Sequence, residues 1–191
     1  MAHAKLDRRV RRTRTAILRA LISLMREKGY DAVTVTDIID RADVGRSTFY
    51  THFTDKSDVL DESLDGLGEF LRAQRDAGGG RLFAFSLAMF EHAEEQRPLL
   101  QGLLGHRGGA VVHDRITRLL ADLVREEVAA LTAGRQPAVP ADLIVSGVVG
   151  VYLALLARWI DDSERRTPQQ MDAAFRRLVL PGVQAAVRDE P

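Results

Sequence analysis

No cysteine occurs among the 191 residues, which excludes disulfide frameworks, thiol catalysis, iron–sulfur clusters and cysteine-based zinc sites, and suits a reducing cytoplasm. Net charge is also missing: 27 Lys and Arg balance 27 Asp and Glu. Nor is there a long hydrophobic run. The longest uncharged stretch, Leu143–Ala157, has 15 residues between Asp142 and Arg158, short of the roughly 20 that a membrane span needs, so a buried helix and no membrane partner are expected. The N-terminal MAHAKLDRRVRRTR is heavily charged and lacks the apolar core of a secretory signal, so the expected location is the cytoplasm. Alternating strand patterns are absent, Val33–Val35 being the one β-like scrap, and no repeat or low-complexity tract appears. What remains is a chain with 46% apolar residues, enough to build an ordinary core.

The balanced charge hides an asymmetry. Residues 1–60 carry 12 basic against 8 acidic side chains, and residues 61–191 carry 15 against 19. Lys5, Arg8, Arg9, Arg11, Arg12 and Arg14 fall within ten positions. A basic head on an acidic body suggests an anionic partner at one end.

Helical periodicity fills the rest. Ile17, Leu18, Leu21, Ile22 and Met25 share one helical stripe, which Gly29 ends. Thr34-Val35-Thr36-Asp37 matches a capping box opening a short helix with Ile38, Ile39 and Ala42. Ala42-Asp43-Val44-Gly45 reads as a tight turn, Arg46–Phe53 as a second short helix, and Thr54 or Asp55 as the cap of a longer one. Gly78-Gly79-Gly80 is a linker. Further helices are expected near 82–96, 98–105, 110–133, 141–161 and 168–188, the last opened by a Thr167–Gln170 capping box with Pro168 at its first position. GRQPAVP (134–140) reads as a loop, and Pro181-Gly182 is expected to kink or end the last helix. The fold class is all-α, with about nine helices.

Three helices within 10–53, the last two short and joined by a four-residue turn, fit a helix-turn-helix. At about 100° per residue, Phe49 and Phe53 point inward with Val44. Ser47 and Thr51 point outward, flanked by Thr48 and Tyr50, with Arg46 at the N-terminal end. Such a face is small, rich in hydroxyls and nearly free of acid, so it can enter a DNA major groove.

The segment TVTDIIDRADVGRSTFYTHFTDKSDVL (34–60) resembles the DNA-binding signature of the TetR family of bacterial regulators. The matched elements are the Thr-x-x-Asp-Ile opening, the Ala-x-Val turn, the Arg-Ser-Thr-Phe-Tyr-x-His-Phe recognition helix and the following Asp-Lys, and the likeness runs from about Thr13 to Leu60. Two positions depart from the pattern: Asp43 stands where Gly is usual, and Gly45 where Ser commonly caps the recognition helix. The resemblance implies a DNA-binding domain over 1–55 with a basic, flexible N-terminal arm, and a helical effector-binding and dimerisation domain over 56–191. HAEEQRPLLQGLL and VSGVVGVYLALLARWI are similar to one C-terminal subtype.

It also assigns roles. Arg46 is expected at a guanine edge or a phosphate, and Ser47 and Thr51 at bases or phosphates, with Thr48 to one side. Tyr50 resembles the family's phosphate-binding tyrosine. Lys56, at the start of the next helix, is expected to meet a phosphate together with the helix N-terminus. His52 is open between packing and phosphate contact, and Thr34 is first a cap whose backbone also suits phosphate. The Lys5–Arg14 stretch is expected to add phosphate or minor-groove contacts.

Specific binding calls for two such heads. Ser146, Gly150 and Ala154 recur every four residues, so 141–161 and 168–188 are expected to form a homodimer interface like the family's, placing two heads on a palindromic operator in double-stranded DNA. In the body, Phe83, Met89, Phe90, Leu103, Ile116, Leu120, Tyr152, Leu155 and Trp159 are candidates to line a site for a small, largely apolar effector that releases a repressor from DNA. No cofactor is expected. His92, His106 and His113 have no metal-binding spacing, so no metal is expected. Two other readings stand beside this one. One is a helix-turn-helix regulator whose body binds a partner protein or nothing. The other is a small all-α enzyme, against which stands the lack of any phosphate loop, including at GHRGGA (105–110), or of a serine in a nucleophile-elbow context.

Overall fold

The structure is a computed structural model that describes residues 2–104, 110–133, 137–161 and 166–188, apart from the side chains of 2–7 and 102–104. Among the described residues there are nine α-helices and no strand: α1 (Ala2–Lys28), α2 (Val35–Ala42), α3 (Arg46–His52), α4 (Lys56–Ala77), α5 (Phe85–Glu95), α6 (Arg97–Leu104), α7 (Ala110–Thr132), α8 (Ala141–Asp161) and α9 (Pro168–Ala186). The chain forms two compact units, one of Met1–Leu67 with Gly102–His113, the other of Gly68–Gln101 with Asp114–Pro191.

In the first unit, α1 is longer than the sequence reading allowed. The stretch expected to be a flexible arm is helical from Ala2. The reason is local: neither Gly nor Pro interrupts residues 2–28, and Ala, Leu and Arg are strong helix formers. Gly29, at φ 77°, ends the helix with its N–H on the Met25 carbonyl at 3.0 Å. Ile17, Leu21, Leu24 and Met25 are buried on one stripe, and α2 packs on it through Ile38 and Ile39. Ion pairs border that contact, Arg41 to Glu27 and Lys28 to Asp37, each at 2.7 Å. Thr34 Oγ1 accepts the Asp37 N–H, and the Asp37 carboxylate accepts the Thr34 N–H at 2.7 Å, which completes the expected capping box.

Asp43 adopts the left-handed conformation (φ 51°, ψ 52°) that the missing glycine would have supplied. Gly45 then opens α3 in extended conformation without a side-chain cap. This helix stops one residue short of expectation: Phe53 has turned extended (φ −142°), although its N–H still reaches the Phe49 carbonyl. Asp55 caps α4 by accepting the N–H groups of Ser57 (2.7 Å) and Asp58 (3.0 Å), and Asp58 answers by accepting the Thr54 N–H at 2.9 Å.

In the second unit, α5 and α8 pack against α9. Their contact is aromatic: Phe90 lies 4.7 Å from Tyr152 and 5.6 Å from Trp159, and Phe175 lies 5.2 Å from Tyr152 and 6.2 Å from Phe83, centroid to centroid. Arg97 closes the end of α8 by donating to the carbonyls of Trp159 (3.0 Å) and Ile160 (2.9 Å), its guanidinium over the Trp159 ring. By length and composition α8 alone of the described helices could cross a membrane. The expected buried helix is buried on one face only. Ile144, Val148, Tyr152, Leu156 and Trp159 face the core, whereas Leu143, Ser146, Gly147, Gly150 and Ala154 are exposed.

Thr167 and Gln170 form the expected capping box of α9, with Pro168 in its first turn. Pro181, expected to kink or end this helix, sits inside it, and α9 continues to Ala186. Pro181 is exposed, as is Arg177 one turn back, so the carbonyl that loses its partner is accessible to water, while buried Val183 anchors the next turn.

Candidate functional site

The best-defined candidate interface is the outer face of α3. Phe49, fully buried, anchors it and meets the Phe53 ring at 5.9 Å and the Tyr50 ring edge-on at 5.4 Å. With that side fixed, Arg46, Ser47, Tyr50 and Thr51 are exposed together, Tyr50 with half its surface free. Thr48 and His52 are half-buried at the flanks, as is Val44 in the preceding turn. The Thr51 hydroxyl donates to the Ser47 carbonyl at 2.8 Å. In that rotamer its lone pairs and methyl are what remain for a partner, suited to an amino hydrogen or a thymine methyl. Thr34 is exposed, its hydroxyl and N–H held within the capping box.

Lys56 departs from the expectation of an ammonium directed at phosphate. Its Nζ donates to the carbonyls of Tyr30 (3.0 Å), Asp31 (3.2 Å) and Val33 (2.9 Å), and lies over the Tyr30 ring. An ammonium has three N–H groups, so all are engaged with the loop between α1 and α2. The residue pins that loop to the start of α4. Arg14 is likewise taken up. It pairs with Glu62 (Nε to Oε1, 2.9 Å) with its guanidinium over the Phe53 ring, and the Glu62 carboxylate raises its pKa. Arg8, Arg9, Arg11 and Arg12 are exposed on helical α1.

Of the residues expected to line an effector site, Phe83, Met89, Phe90, Ile116, Leu120, Tyr152 and Trp159 are buried and Leu155 is half-buried. Phe83, Phe90, Tyr152 and Trp159 belong to one chain of ring contacts joined through Phe175. The side chain of Leu103, His106 and the GHRGGA loop before Ala110 lie outside the described residues. His92 is half-buried, its pKa lowered by burial, and His113 is exposed.

The sequence reading missed the polar groups of this body. Glu127, Ser86 and Asp172 are buried on α7, α5 and α9. They lie 44 and 86 residues from the partners Phe83 and Ser86 that they meet, so no local spacing announces them.

Two family profiles match the chain. Residues 17–62 match bacterial regulatory proteins of the tetR family, and residues 81–180, more than half of the chain, match a transcriptional regulator C-terminal region.

The chain belongs to the TetR family.

The matched relatives are thus transcriptional regulators, not enzymes. Among curated relatives, the HTH-type transcriptional regulator TcmR of Streptomyces glaucescens is 35% identical over 83 residues, 42% of this chain and 37% of its own. YdeS of Bacillus subtilis is 45% identical over 52 residues, covering 27% and 26% of the two chains. These matches span well under two thirds of the curated relatives' lengths. Among solved TetR-family structures, a regulator from Streptococcus agalactiae superposes with a TM-score of 0.71 at 26% identity, covering 94% of this chain and 99% of its own. Thermus thermophilus FadR, a TetR-family repressor solved with lauroyl-CoA, gives 0.60 at 23% identity over 93% and 97%. The FadR likeness is one of fold.

Proposed function

We propose that this protein is a homodimeric repressor that binds a palindromic operator through paired α3 helices and is released by a small, largely apolar effector. The observation that carries the reading is the exposed Arg46–Ser47–Tyr50–Thr51 face, held outward by buried Phe49. Its hydroxyls and its one guanidinium suit base edges and phosphates, and α3 contains no acidic residue to repel them. Residues 1–55 form the reading head and 56–191 the body. Exposed Arg8, Arg9, Arg11 and Arg12 extend the phosphate contacts from a helix, and Lys56 contributes by fixing the α1–α2 loop of the head. Thr34, Thr48 and His52 border the contact.

Two heads are needed for specificity, with half-sites about one DNA turn apart. The exposed face of α8 and α9 supports self-association: Leu143 and Leu178 are both more than half exposed, and a Cβ added at Gly147, Gly150 or Gly182 meets no atom within 4 Å. Small residues let helices of a second copy approach closely. The aromatic body supports the effector reading, and FadR offers a precedent in its bound lauroyl-CoA. An effector acts by preferring a body state in which the heads are wrongly spaced, and about 1–3 kcal/mol of such preference lowers operator affinity roughly 5- to 150-fold. The cytoplasm is the site of action.

The test is genomic footprinting with the purified protein, followed by titration of a recovered site at fixed salt. A two-fold symmetric footprint bound by a dimer is the expected result. Affinity that is indifferent to replacement of both Ser47 and Thr51 would place the reading surface elsewhere.

A further inference from the structure

A polar knot lies inside the largely apolar core of the second unit, centred on Phe83. This residue is fully buried yet has φ 55°, a left-handed conformation that bulky side chains rarely adopt. Its N–H donates to Glu127 Oε2 at 2.6 Å. Its carbonyl lies 2.8 Å from the Ser86 hydroxyl and 3.4 Å from Arg176 Nη1. The same Ser86 hydroxyl touches the Asp172 carboxylate, so one proton serves two acceptors. Asp172 is also approached by Arg81 at 3.6 Å.

Two atoms of this region have no hydrogen-bond partner among the described residues and no contact with solvent: Glu127 Oε1 and Tyr152 Oη. Glu127 is 9% exposed and Tyr152 2%. Burying such atoms unpaired is costly, and folded proteins seldom do so without a use for them. A path of contacts joins the two. Glu127 holds Phe83, Phe83 meets Phe175, and Phe175 meets the Tyr152 ring edge-on. Buried aromatic rings, in contact with one another, thus link the two residues whose polar atoms lack a partner.

We propose that Glu127 and Tyr152 form the polar end of a ligand site in the body, taking a compound whose apolar, ring-sized framework carries a hydrogen-bond donor, either a hydroxyl or a protonated amine. The inference rests on the effector reading above and makes it more specific. A pure hydrocarbon leaves both atoms unpaired, whereas a donor supplies the acceptor Glu127 with its partner and aromatic faces favour an ammonium. Burial also pushes the Glu127 carboxyl up, so a donor or cation that pairs with it relieves an existing penalty.

Three probes of one shape test this on the full chain by titration calorimetry: para-propylphenol, phenylpropylamine and propylbenzene. At least one donor-bearing probe is expected to bind about tenfold more tightly than propylbenzene. Preference for the amine is expected to vanish in Glu127→Gln, and preference for the phenol in Tyr152→Phe, with propylbenzene affinity unchanged in both. The unchanged propylbenzene binding shows that each variant is folded, and either variant alone suffices. Equal affinity for all three probes, or a donor preference that survives both substitutions, overturns the polar end and leaves the effector reading standing. Failure of all three to bind overturns both.

Discussion

The ammonium of Lys56 lies 4.5 Å from the centre of the Tyr30 ring and donates to the Tyr30 carbonyl at 3.0 Å. With the Asp31 and Val33 carbonyls also engaged, this side chain holds the α1–α2 loop against the start of α4. Lys56→Met is therefore expected to destabilise the head by about 1–3 kcal/mol, measured by urea unfolding. The salt dependence of operator binding is expected to keep its slope, since no phosphate contact is lost. A slope reduced by about one with stability intact would restore the direct phosphate role.

On the α3 face, substitutions are expected to divide by the kind of contact. Tyr50→Phe removes a hydroxyl suited to phosphate and weakens binding to all sequences alike. Thr51→Val, which keeps a methyl but removes the hydroxyl acceptor, is expected to change base preference by about 1–3 kcal/mol at one position. Competition titrations against a library of single base changes separate the two, and identical profiles would show that Thr51 does not read sequence.

Two carboxylates give opposite pH dependences. The Lys28 ammonium, then the Thr34 hydroxyl and N–H, hold Asp37 well below the usual carboxylate range. Its contribution is present above the unfolded pKa of about 3.9 and is lost as pH falls toward the folded value, so Asp37→Asn flattens the acid limb of the stability curve. Burial raises Glu127, against the lowering pull of the Phe83 N–H. The folded state then holds this proton more tightly than the unfolded chain, and a penalty grows as pH rises above about 4.3. Glu127→Gln keeps an acceptor for Phe83 and is expected to be more stable than the parent near neutral pH. Urea unfolding across about pH 4 to 7 checks both signs.

Gly45 opens α3 at φ −70° without a side-chain cap, and a Cβ there meets Thr48 Oγ1 at 3.6 Å, an ordinary contact. Gly45→Ser fits and supplies the missing acceptor, for a gain of a few tenths of a kcal/mol. Thermal unfolding measures it, and a lower melting temperature would mean that the hydroxyl does not reach the open N–H groups of α3.

The exposed α8–α9 face predicts a clean separation of folding from assembly. Gly150→Leu adds bulk where the protomer has open space, and Leu178→Glu adds charge to an exposed position. Both are expected to keep the helical circular dichroism spectrum, yield monomers in light scattering and lose operator affinity. Dimers that persist in both variants would move the interface off this face.

Much of the fold was legible because its determinants are local. Periodic Ile17, Leu21 and Met25, the Thr34–Asp37 and Thr167–Gln170 boxes and the α2–α3 turn each act within a few residues. Where the reading erred, the deciding physics lay elsewhere. The arm became helix because nothing in it breaks one, and Pro181 stayed within α9 because the Arg177 carbonyl that it leaves unpaired lies on the exposed side while Val183 packs beyond it.

Sequence alone determined the helical class, the turn at Asp43 and which side of α3 is polar, since backbone sterics, capping and a 3.6-residue period operate within one stretch of chain. Only the tertiary structure decided where each charge is used. It engaged Lys56 and Arg14 with partners of the chain itself and gathered Glu127, Ser86, Asp172 and Tyr152 from four helices. Hydrogen bonds and burial depend on proximity in space, and residues far apart in the chain become neighbours only when the helices pack.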